Sequence, residues 1–255
     1  MKEIKRISIV GTGNVAHHLG RALKKNNFQI DGVWGRTKKN ALQLADDLKT
    51  ISFENINDIP KSTDLIMICV SDSAIEEIVD TIPNHLPIAY TSGSVSLESF
   101  PKKDKIGVFY PLQTFTKSRD ISFDSIPLLI ESGNEEFANS LRNCANELSE
   151  TVRFTSSAER FQIHIAAVMV NNFTNHLYHL ADLHMKNHHL PFAILKPLIL
   201  ETAEKVQDVT PSMAQTGPAK RKDSKIIEKH LSELDSQTKE IYQMLSKSII
   251  NHNTK

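Results

Sequence analysis

Two histidines and three asparagines share one face of a long predicted helix and form the most chemically capable surface in the sequence. At about 100° per residue, His164, Asn171, Asn172, Asn175 and His179 fall within one narrow sector. A solvent-facing helix surface normally carries Glu and Lys, whereas histidine exchanges protons near neutral pH. We interpret His164 as a general acid or base, and Asn172 and Asn175 as ligands for a substrate oxygen or amine. A network of polar contacts between helices, or a solvent-exposed helix face, accounts for the same pattern equally well.

A glycine-rich turn near the N-terminus has the form of a dinucleotide-binding loop. The apolar run Arg6–Val10 is followed by the turn GTGNVA and then by the helix-like stretch His17–Lys25. In this strand–turn–helix context, G-x-G-x-x-G/A binds a pyrophosphate at the helix N-terminus. The first glycine makes the turn, the second admits the phosphates to the backbone, and Ala16 takes the third small position. A tight turn without a ligand is the alternative. The predicted cofactor-binding residues here are Gly11, Thr12, Gly13, Asn14 and Val15.

The end of the second predicted strand selects the nicotinamide cofactor. An acidic residue at this position binds the ribose 2′-hydroxyl of NAD, whereas an arginine accommodates the 2′-phosphate of NADP. Here the strand Phe28–Trp34 ends in Gly35, Arg36 and Thr37, and Asp31 lies too early to serve as the acidic residue. The sequence therefore favours NADP, with Arg36 and Thr37 as ligands. The alternative is that Arg36 is an ordinary solvated turn residue.

Other loops should open on the same edge of the sheet, because the carboxyl ends of parallel strands face the cofactor crevice. Val70, Ser71 and Asp72 follow the apolar run DLIMICV, and Ser92 and Gly93 follow Pro87–Thr91. We predict that these five residues contact the cofactor; for Asp72, helix capping alone is the alternative. Gln113, in the loop after Lys105–Tyr110, is a predicted substrate residue.

A Gly-Pro loop in the second half of the chain could hold an anionic group of the substrate. Thr216, Gly217 and Arg221 precede a helix for which Asp223 or Ser224 is the expected N-cap. Free backbone N–H groups and a guanidinium bind anions well. The alternative is that this stretch is only a loop that connects two helices.

These residues need a scaffold, and the order of the elements predicts one. About eight short apolar runs alternate with helical patterns up to Phe154, among them Ile51–Phe53, which we expect to be the third strand. This order predicts an α/β Rossmann fold with a doubly wound, mostly parallel sheet. The last two strands could run antiparallel at an edge.

Helical patterns alone follow Ser157, so we expect an all-α C-terminal domain. The predicted helices are Ser157–His188, Pro191–Gln207 with a kink or break at Pro197, and Asp223–Ile250. A domain boundary near Thr155 gives an NADP-binding Rossmann domain, residues 1–155, and a helical substrate and dimerisation domain, residues 156–255.

Composition and charge restrict the classes of function. The chain has 255 residues, of which 40% are hydrophobic, and its 30 basic and 30 acidic residues give no formal net charge. It therefore has no global field to attract nucleic acid or an anionic membrane. No apolar stretch approaches membrane-span length, and no histidine or cysteine spacing matches a metal site, so we expect no membrane, nucleic acid or metal. Two cysteines without a disulfide pattern favour the cytoplasm.

Several motifs resemble those of the 6-phosphogluconate dehydrogenase-like superfamily. They are ISIVGTGNVA, WGRT, ICVSDSAI, YTSGS and FYPLQTF. Members include pyrroline-5-carboxylate reductases, 3-hydroxyisobutyrate dehydrogenases, prephenate dehydrogenases and deazaflavin-dependent NADP reductases. The stretches HIAAVMVNNFTNHL and QTGPAKRKD are similar to a narrower group, the bacterial Rossmann-like proteins with a C-terminal helical domain of unknown function. The resemblance covers nearly the whole chain, and its motifs mark the superfamily rather than the substrate.

The resemblance implies roles for individual residues. Asn171 and Asn172 look like the Asn-Asn pair of hydroxyisobutyrate-type enzymes, which carry a lysine one helical turn earlier. Val168 occupies that position here, and His164 lies one turn before it. The resemblance therefore leaves a histidine acid, or no protein acid, in place of the lysine. It also implies a homodimer formed through the helical domain.

Two functions of different classes are compatible with the sequence. The first is an NADP-dependent oxidoreductase that transfers a hydride to or from a C=O or C=N group of a small, anionic metabolite. The second is a non-catalytic sensor or scaffold that binds NADP(H), and the missing lysine favours it. A deazaflavin- or flavin-linked reductase is a third alternative, since such relatives share the first domain.

Overall fold

The computed structural model describes residues 3–252. Within them, seven β-strands lie in the first part of the chain. The strands are β1 (Arg6–Val10), β2 (Gln29–Trp34), β3 (Leu65–Ile68), β4 (Ile88–Tyr90), β5 (Ile106–Pro111), β6 (Leu128–Ser132) and β7 (Val152–Phe154).

Helices separate most of the strands and make up the rest of the chain. The α-helices are α1 (Asn14–Lys25), α2 (Lys38–Asp47), α3 (Asp72–Thr81), α4 (Glu135–Asn146), α5 (Ser157–Ala167), α6 (Thr174–Asn187), α7 (Lys196–Asp208), α8 (Pro211–Ala214), α9 (Ser224–Ser232) and α10 (Ser236–His252). A π-helical segment, Val168–Phe173, joins α5 to α6, and short 3₁₀ helices lie at Ile56–Asp58, Leu97–Ser99 and Phe192–Leu195.

The strands form one sheet in the order β2-β1-β3-β4-β5-β6-β7. Strands β1 to β5 are parallel, β6 is antiparallel to β5, and β7 is parallel to β6. This confirms the predicted doubly wound, mostly parallel sheet with a helical region after it. From β1 the chain passes to β2 on one side and then to β3 on the other. The carboxyl ends of β1 and β3 therefore flank the switch point at which such sheets bind ligands.

Helices cover both faces of the sheet, which explains why its strands are almost continuously apolar. Ile7 and Ile9 of β1 pack in a cluster with Leu19 of α1, whereas Val10 packs on the opposite face with Ile75 of α3. Fully burying side chains of this size contributes about 1.5–3 kcal/mol each. The carboxyl edge of the sheet is thus fixed by two cores.

The prediction of a third strand at Ile51–Phe53, which would have made eight strands in all, was wrong. Ser52 forms a single parallel bridge with Val33, through N–H groups of Val33 and Phe53. The bridge lies beside β2, where a Rossmann sheet has its outer strand. Only this one residue pair is formed, so no strand results. The other strands agree with the predictions to within about two residues at each end.

Three predictions for the helical region need correction. The long helix is interrupted by the π-helical segment, so a constant 100° per residue does not apply beyond Ala167. Pro197 lies in the first turn of α7, where its missing N–H needs no partner, and does not kink the helix. The last helix is two helices, α9 and α10, because Asp235 caps α10 by accepting from the Thr238 N–H at 3.0 Å.

The chain divides into two compact units, up to Asn171 and from Asn172 onward. Helix α5 belongs to the first unit, since Ser157 and Arg160 bind Glu131 of β6. The boundary that we predict near Thr155 stays a prediction. Within residues 3–252, none of the helices combines the length and apolar character that crossing a membrane requires.

Candidate functional site

Gly11 forms the turn at the end of β1, and no other residue fits there. Its φ is +119°, and a Cβ at this position would collide with the backbone carbonyl of Cys69. Its N–H donates to the Trp34 carbonyl at 2.8 Å, and the Cys69 N–H donates to the Val10 carbonyl at 2.7 Å. The turn is therefore held between β2 and the end of β3, as the sequence predicts for the first glycine of a dinucleotide loop.

The N-terminus of α1 is open. Gly13 is the N-cap and provides no side-chain acceptor, and the first turn carries no acidic residue. A Cβ at Gly13 would meet no atom within 4 Å. The N–H groups of the first turn and the positive end of the helix dipole thus have space for an anion to approach the backbone.

Helix α1 packs closely on the sheet at two small residues, Ala16 of the motif and Gly20, which the motif does not include. Ala16 is fully buried, and a Cβ at Gly20 would lie 2.8 and 2.9 Å from side-chain carbons of Leu48 and Ile9. Gly20 stands one turn after Ala16 on the same helix face, a spacing that could have identified it. Val15 is partly buried and packs against the core.

The segment 115–117, which follows β5, lies across the start of α1. Three side-chain contacts join them, from Asn14 Nδ2 to the Phe115 carbonyl (2.8 Å), from His18 Nε2 to the Thr116 carbonyl (3.0 Å) and from Lys117 Nζ to the Thr12 carbonyl (3.1 Å). Asn14 Nδ2 is therefore engaged by this segment, and the backbone N–H of this predicted cofactor residue belongs to the first turn of α1. Lys117, which the sequence did not single out, brings an ammonium group to the loop.

The turn after β2 presents two polar side chains. Arg36 and Thr37 are exposed, and within residues 3–252 the Arg36 guanidinium has no hydrogen-bond or ion-pair partner. Gly35 brings this turn against the glycine loop, since a Cβ there would lie 2.5 Å from Thr12 Cγ2. Arg36 is thus next to the loop and unengaged, as a 2′-phosphate ligand should be.

Asp31 serves a structural purpose. Its carboxylate is almost fully buried, pairs with Arg6 Nη2 at 2.8 Å and accepts from Thr63 Oγ1 at 2.8 Å. It therefore does not take the place of the acidic residue that binds the ribose of NAD.

The loops after β3 and β4 are linked through serines. Ser94 Oγ donates a short hydrogen bond to Asp72 Oδ2, and the buried Ser92 Oγ accepts from the Ser94 and Val95 N–H groups at 3.1 and 3.0 Å. Ser92 thus shapes its turn with its own hydroxyl. Ser71 is the N-cap of α3, although its side chain does not cap, and Asp72 is the first helical residue. These contacts place the predicted residues Ser71, Asp72 and Ser92 on one edge of the sheet.

His164 lies at this same edge. Its Nδ1 is 3.0 Å from the hydroxyl of Tyr110, which is near the end of β5. A Cβ at Gly93 would lie 2.5 Å from His164 Nδ1 and 2.9 Å from Tyr110 Cζ, so the pair rests directly on the glycine backbone. Burial, together with the negative charge of Asp72, raises the pKa of Tyr110. The phenol therefore stays protonated across the neutral range.

A buried ion pair anchors the helix that carries His164. Arg160, one turn before His164, has no exposed surface; its guanidinium binds the carboxylate of Glu131 and donates to the Val95 carbonyl. Glu131 also accepts from the N–H and Oγ of Ser157 at 2.8 and 2.7 Å. The first turns of α5 are thereby fixed to β6 and to the loop after β4.

The two cysteines are buried thiols. Both are free and buried, and burial raises the pKa of Cys69 and of Cys144 to about 12. Neither thiol is a nucleophile at neutral pH.

The structure does not connect the remaining predicted site residues to the contacts described above. Gln113 is exposed in the loop after β5, where its Oε1 accepts from the Thr114 N–H at 2.8 Å. Asn172, Asn175, Thr216, Gly217 and Arg221 belong to the second unit. Asn172 lies in the π-helical segment and Asn175 in α6, and Gly217 has a φ of +100° that suits glycine in a loop. Their roles at the site stay predictions.

Lys117, Tyr110, Arg160 and Glu131 are the residues of the site that sequence reasoning missed. Two signals could have identified Glu131 and Arg160. Glu131 is the one charged residue in the strand sequence LLIES, and Arg160 stands four residues before His164 on the same helix face. A lone charge at the end of a buried strand requires a partner of opposite sign.

Family models match both parts of the chain. Residues 5–86 match a model described as "Oxidoreductase family, NAD-binding Rossmann fold", and residues 126–249 match one described as "Domain of unknown function (DUF2520)". The chain is also similar, with 29% identity over 72 residues, to the human glucose-fructose oxidoreductase domain-containing protein 2. That match spans 28% of this chain and 19% of the human protein's length.

Solved structures resemble the chain over almost its full length. A Bacteroides fragilis protein described as a "putative NADP oxidoreductase" is 36% identical, with a TM-score of 0.90 and coverage of 97% of this chain and 98% of that one. A 1-pyrroline-5-carboxylate reductase from Streptococcus pyogenes is 15% identical, with a TM-score of 0.66 and coverage of 96% and 98%. The second similarity concerns the fold alone.

Proposed function

Because the chain belongs to the family of Rossmann-fold oxidoreductases with a C-terminal DUF2520 domain, we propose that it is an NADP-dependent enzyme. It transfers a hydride to or from a C=O or C=N group of a small, anionic metabolite. The observation that carries this proposal is the position of His164, a proton-exchanging side chain at the carboxyl edge of a dinucleotide-binding sheet, against Gly93.

The cofactor site fits NADP. The open N-terminus of α1 takes the pyrophosphate, with Gly13 leaving room for it and Lys117 adding positive charge. Arg36 and Thr37 take the 2′-phosphate, and Asp31, the acidic side chain of β2, is already engaged. A guanidinium binds a phosphate bidentately.

The chemistry requires a hydride and a proton. The bound cofactor supplies the hydride. His164 gives the proton to the substrate's oxygen or nitrogen, or takes it in the reverse direction, while Tyr110 and Gly93 hold the imidazole in place. The anionic character of the substrate rests on the prediction for Thr216, Gly217 and Arg221, and the orientation of its polar group on Asn172 and Asn175.

Replacing Arg36 by alanine is expected to weaken NADPH binding about 10- to 100-fold, because charge-assisted bonds to the 2′-phosphate are lost. NADH, which lacks this phosphate, should bind as in the unaltered protein. The measurement is a titration followed by the fluorescence of Trp34, the single tryptophan, which ends β2.

The matched control for this titration is Lys39→Ala, a change of an exposed cation on α2 near the same turn. It should leave both affinities within about twofold, since an exposed charge at a distance is screened. Equal losses of NADPH and NADH affinity in Arg36→Ala would contradict the 2′-phosphate assignment. Failure of the unaltered protein to bind either nucleotide would overturn the proposed function itself.

The partner that we propose is a second copy of the chain, joined through the helical region. Among the described residues 172–252, Ala219 is the one buried apolar residue, while Phe173, Ile194 and Leu198 are exposed by about 60%. A helical unit of this size normally needs an apolar core to be stable. An isologous dimer would provide it. Both cysteines are free, which supports the cytoplasm as the compartment.

The double change Ile194→Glu and Leu198→Glu is expected to convert the dimer into monomers. Both side chains are 63% exposed and one helical turn apart, so two charges would enter the apolar surface that we propose to be covered. Light scattering coupled to size exclusion measures the mass. The matched change Leu42→Glu, at an apolar residue of α2 that is 51% exposed, should leave the mass unaltered. A monomeric unaltered protein would refute the dimer.

A further inference from the structure

The hydrogen bond between Tyr110 and His164 determines which nitrogen of the histidine is open. Nδ1 is engaged by the Tyr110 hydroxyl at 3.0 Å, while Nε2 has no hydrogen-bond partner within residues 3–252. The two residues are 54 positions apart in the sequence. A substrate at this edge of the sheet therefore meets Nε2.

The direction of this hydrogen bond follows from the two groups. A phenol is a better donor than a neutral imidazole N–H, and the ring nitrogen is a better acceptor than the phenol oxygen. The burial and the Asp72 charge that raise the pKa of Tyr110 keep the proton on its oxygen. When His164 is neutral, the Tyr110 O–H donates to Nδ1, and the imidazole proton resides on Nε2.

The surroundings prevent the ring from turning over. The imidazole lies on the backbone of Gly93, and its helix is fixed by the Arg160–Glu131 pair one turn earlier. Rotation of the ring by 180° would replace Nδ1 by a carbon opposite the hydroxyl and break the hydrogen bond. When His164 is charged, both nitrogens carry hydrogen and the Tyr110 oxygen accepts from Nδ1. Nε2 thus carries a hydrogen in the favoured form of both protonation states, before any proton passes to a substrate.

We propose that Tyr110 is a positioning residue that keeps His164 as a hydrogen-bond donor at Nε2, so that the site selects a carbonyl oxygen and discriminates against a protonated imine. This rests on the proposed hydride transfer and narrows its C=O or C=N alternative to C=O. A carbonyl oxygen has lone pairs to accept the Nε2 hydrogen, whereas an iminium nitrogen has none. Two N–H groups facing each other would leave both unsatisfied and cost affinity.

The proton balance of the reduction is simple. The carbonyl carbon accepts the hydride that NADPH would supply in becoming NADP⁺, the C=O π pair moves to the oxygen, and the imidazolium gives its Nε2 proton to that oxygen. The neutral imidazole that remains holds its hydrogen on Nδ1, facing the Tyr110 oxygen, until solvent returns a proton to Nε2. Tyr110 keeps its own proton throughout, so its role is distinct from that of an acid.

The first test is ¹⁵N NMR of histidine-labelled protein, with the His164 signals assigned by their absence in His164→Gln. We expect neutral His164 to carry hydrogen on Nε2 and to show an Nδ1 shift typical of a hydrogen-bonded lone pair. Tyr110→Phe should abolish the Nδ1 displacement. The matched control, Tyr242→Phe, removes the hydroxyl that lies 2.7 Å from His230 Nδ1 and should leave the His164 signals unchanged.

The NMR result does not depend on any activity, so it separates this inference from the proposed function. A neutral His164 with hydrogen on Nδ1 would overturn the inference even if the protein binds and oxidises NADPH. Conversely, if His164 shows the expected tautomer but the protein does not bind NADPH, the proposed function is overturned and this inference is not.

The second test compares substrates of one carbon skeleton that differ at the reacting group. A panel of aldehydes and keto acids is assayed with NADPH against the corresponding N-methyl iminium ions, whose nitrogen has no lone pair. We expect the carbonyl compounds to have at least tenfold higher kcat/KM, and Tyr110→Phe to lower kcat about tenfold with the NADPH affinity unchanged. Equal turnover of the iminium ions, or an unaltered kcat in Tyr110→Phe, would refute the assignment.

Discussion

Replacing His164 by glutamine is expected to lower kcat about 10²- to 10⁴-fold and to leave the NADPH affinity within about twofold. This is the range that a positioned acid or base contributes. Glutamine has polar atoms of similar reach but does not titrate in the neutral range, so the change removes proton exchange and keeps the space filled. The nucleotide affinity should persist because, within residues 3–252, Gly11 and Gly35 lie against Cys69 and Thr12 rather than against His164.

The measurement is the consumption of NADPH with a panel of keto acids, together with the Trp34 titration. His179→Gln is the matched control, because His179 is exposed on α6 and lies in the second unit. It should leave kcat within about twofold if His164 is the acid. Retained turnover in His164→Gln would mean that water supplies the proton. Loss of nucleotide affinity together with turnover would mean that His164 supports the fold of the site.

This experiment also separates the enzyme from the alternative of a sensor. A sensor would bind NADPH tightly and consume none of it with any compound of the panel. Its nucleotide affinity would respond to Arg36→Ala, as for the enzyme, but no rate would respond to His164→Gln. The polar contacts of His164 with Tyr110 and Gly93 would then be explained by packing.

Local sequence was sufficient to predict the glycine turn between β1 and α1. The strand, the turn and α1 are consecutive in the sequence. The glycine at the turn is required by the local backbone conformation, since Gly11 has a φ of +119°. The mostly parallel sheet was predictable for a related reason, since apolar runs alternate with helical patterns. Even the single bridge at Ser52 lies where a third strand was expected.

Contacts between distant residues were not predictable from these patterns. The 115–117 segment reaches the start of α1 across 101 residues, counted from Asn14 to Phe115, and Tyr110 meets His164 across 54. Neither contact leaves a periodic signal in the sequence. The predicted angular spacing along the long helix was wrong for another reason, because Asn171 and Asn172 lie in a π-helical segment that widens the turn. Single-turn π segments often occur at functional sites, so the deviation itself directs attention to these asparagines.

Replacing Arg160 by leucine is expected to lower the free energy of unfolding by about 3–5 kcal/mol. The Arg160 side chain is 1% exposed and that of Glu131 is 14% exposed, so the change leaves a mostly buried carboxylate without its cation. The Val95 carbonyl loses a donor as well. Urea unfolding followed by Trp34 fluorescence measures the effect, since Trp34 belongs to the same unit.

Two further variants show whether the loss comes from the unpaired charge. Combining Arg160→Leu with Glu131→Gln removes the carboxylate charge but keeps an oxygen that accepts from Ser157. We expect the double variant to recover about 1–2 kcal/mol relative to Arg160→Leu. Arg153→Leu is the matched control, because Arg153 is 65% exposed and 3.8 Å from Glu159, and an exposed pair of this kind contributes less than about 1 kcal/mol.

The same anchor should control His164 through α5. In the folded fraction of Arg160→Leu, the helix loses the guanidinium that joins it to Glu131 and to the loop after β4. A displacement of about 1 Å at a reacting group can cost a hundredfold in rate. Turnover should therefore fall with the NADPH affinity preserved, because the nucleotide-binding loop is held by β2, β3 and the 115–117 segment. A variant that loses stability but keeps full turnover would show that Gly93 and Tyr110 suffice to position the imidazole.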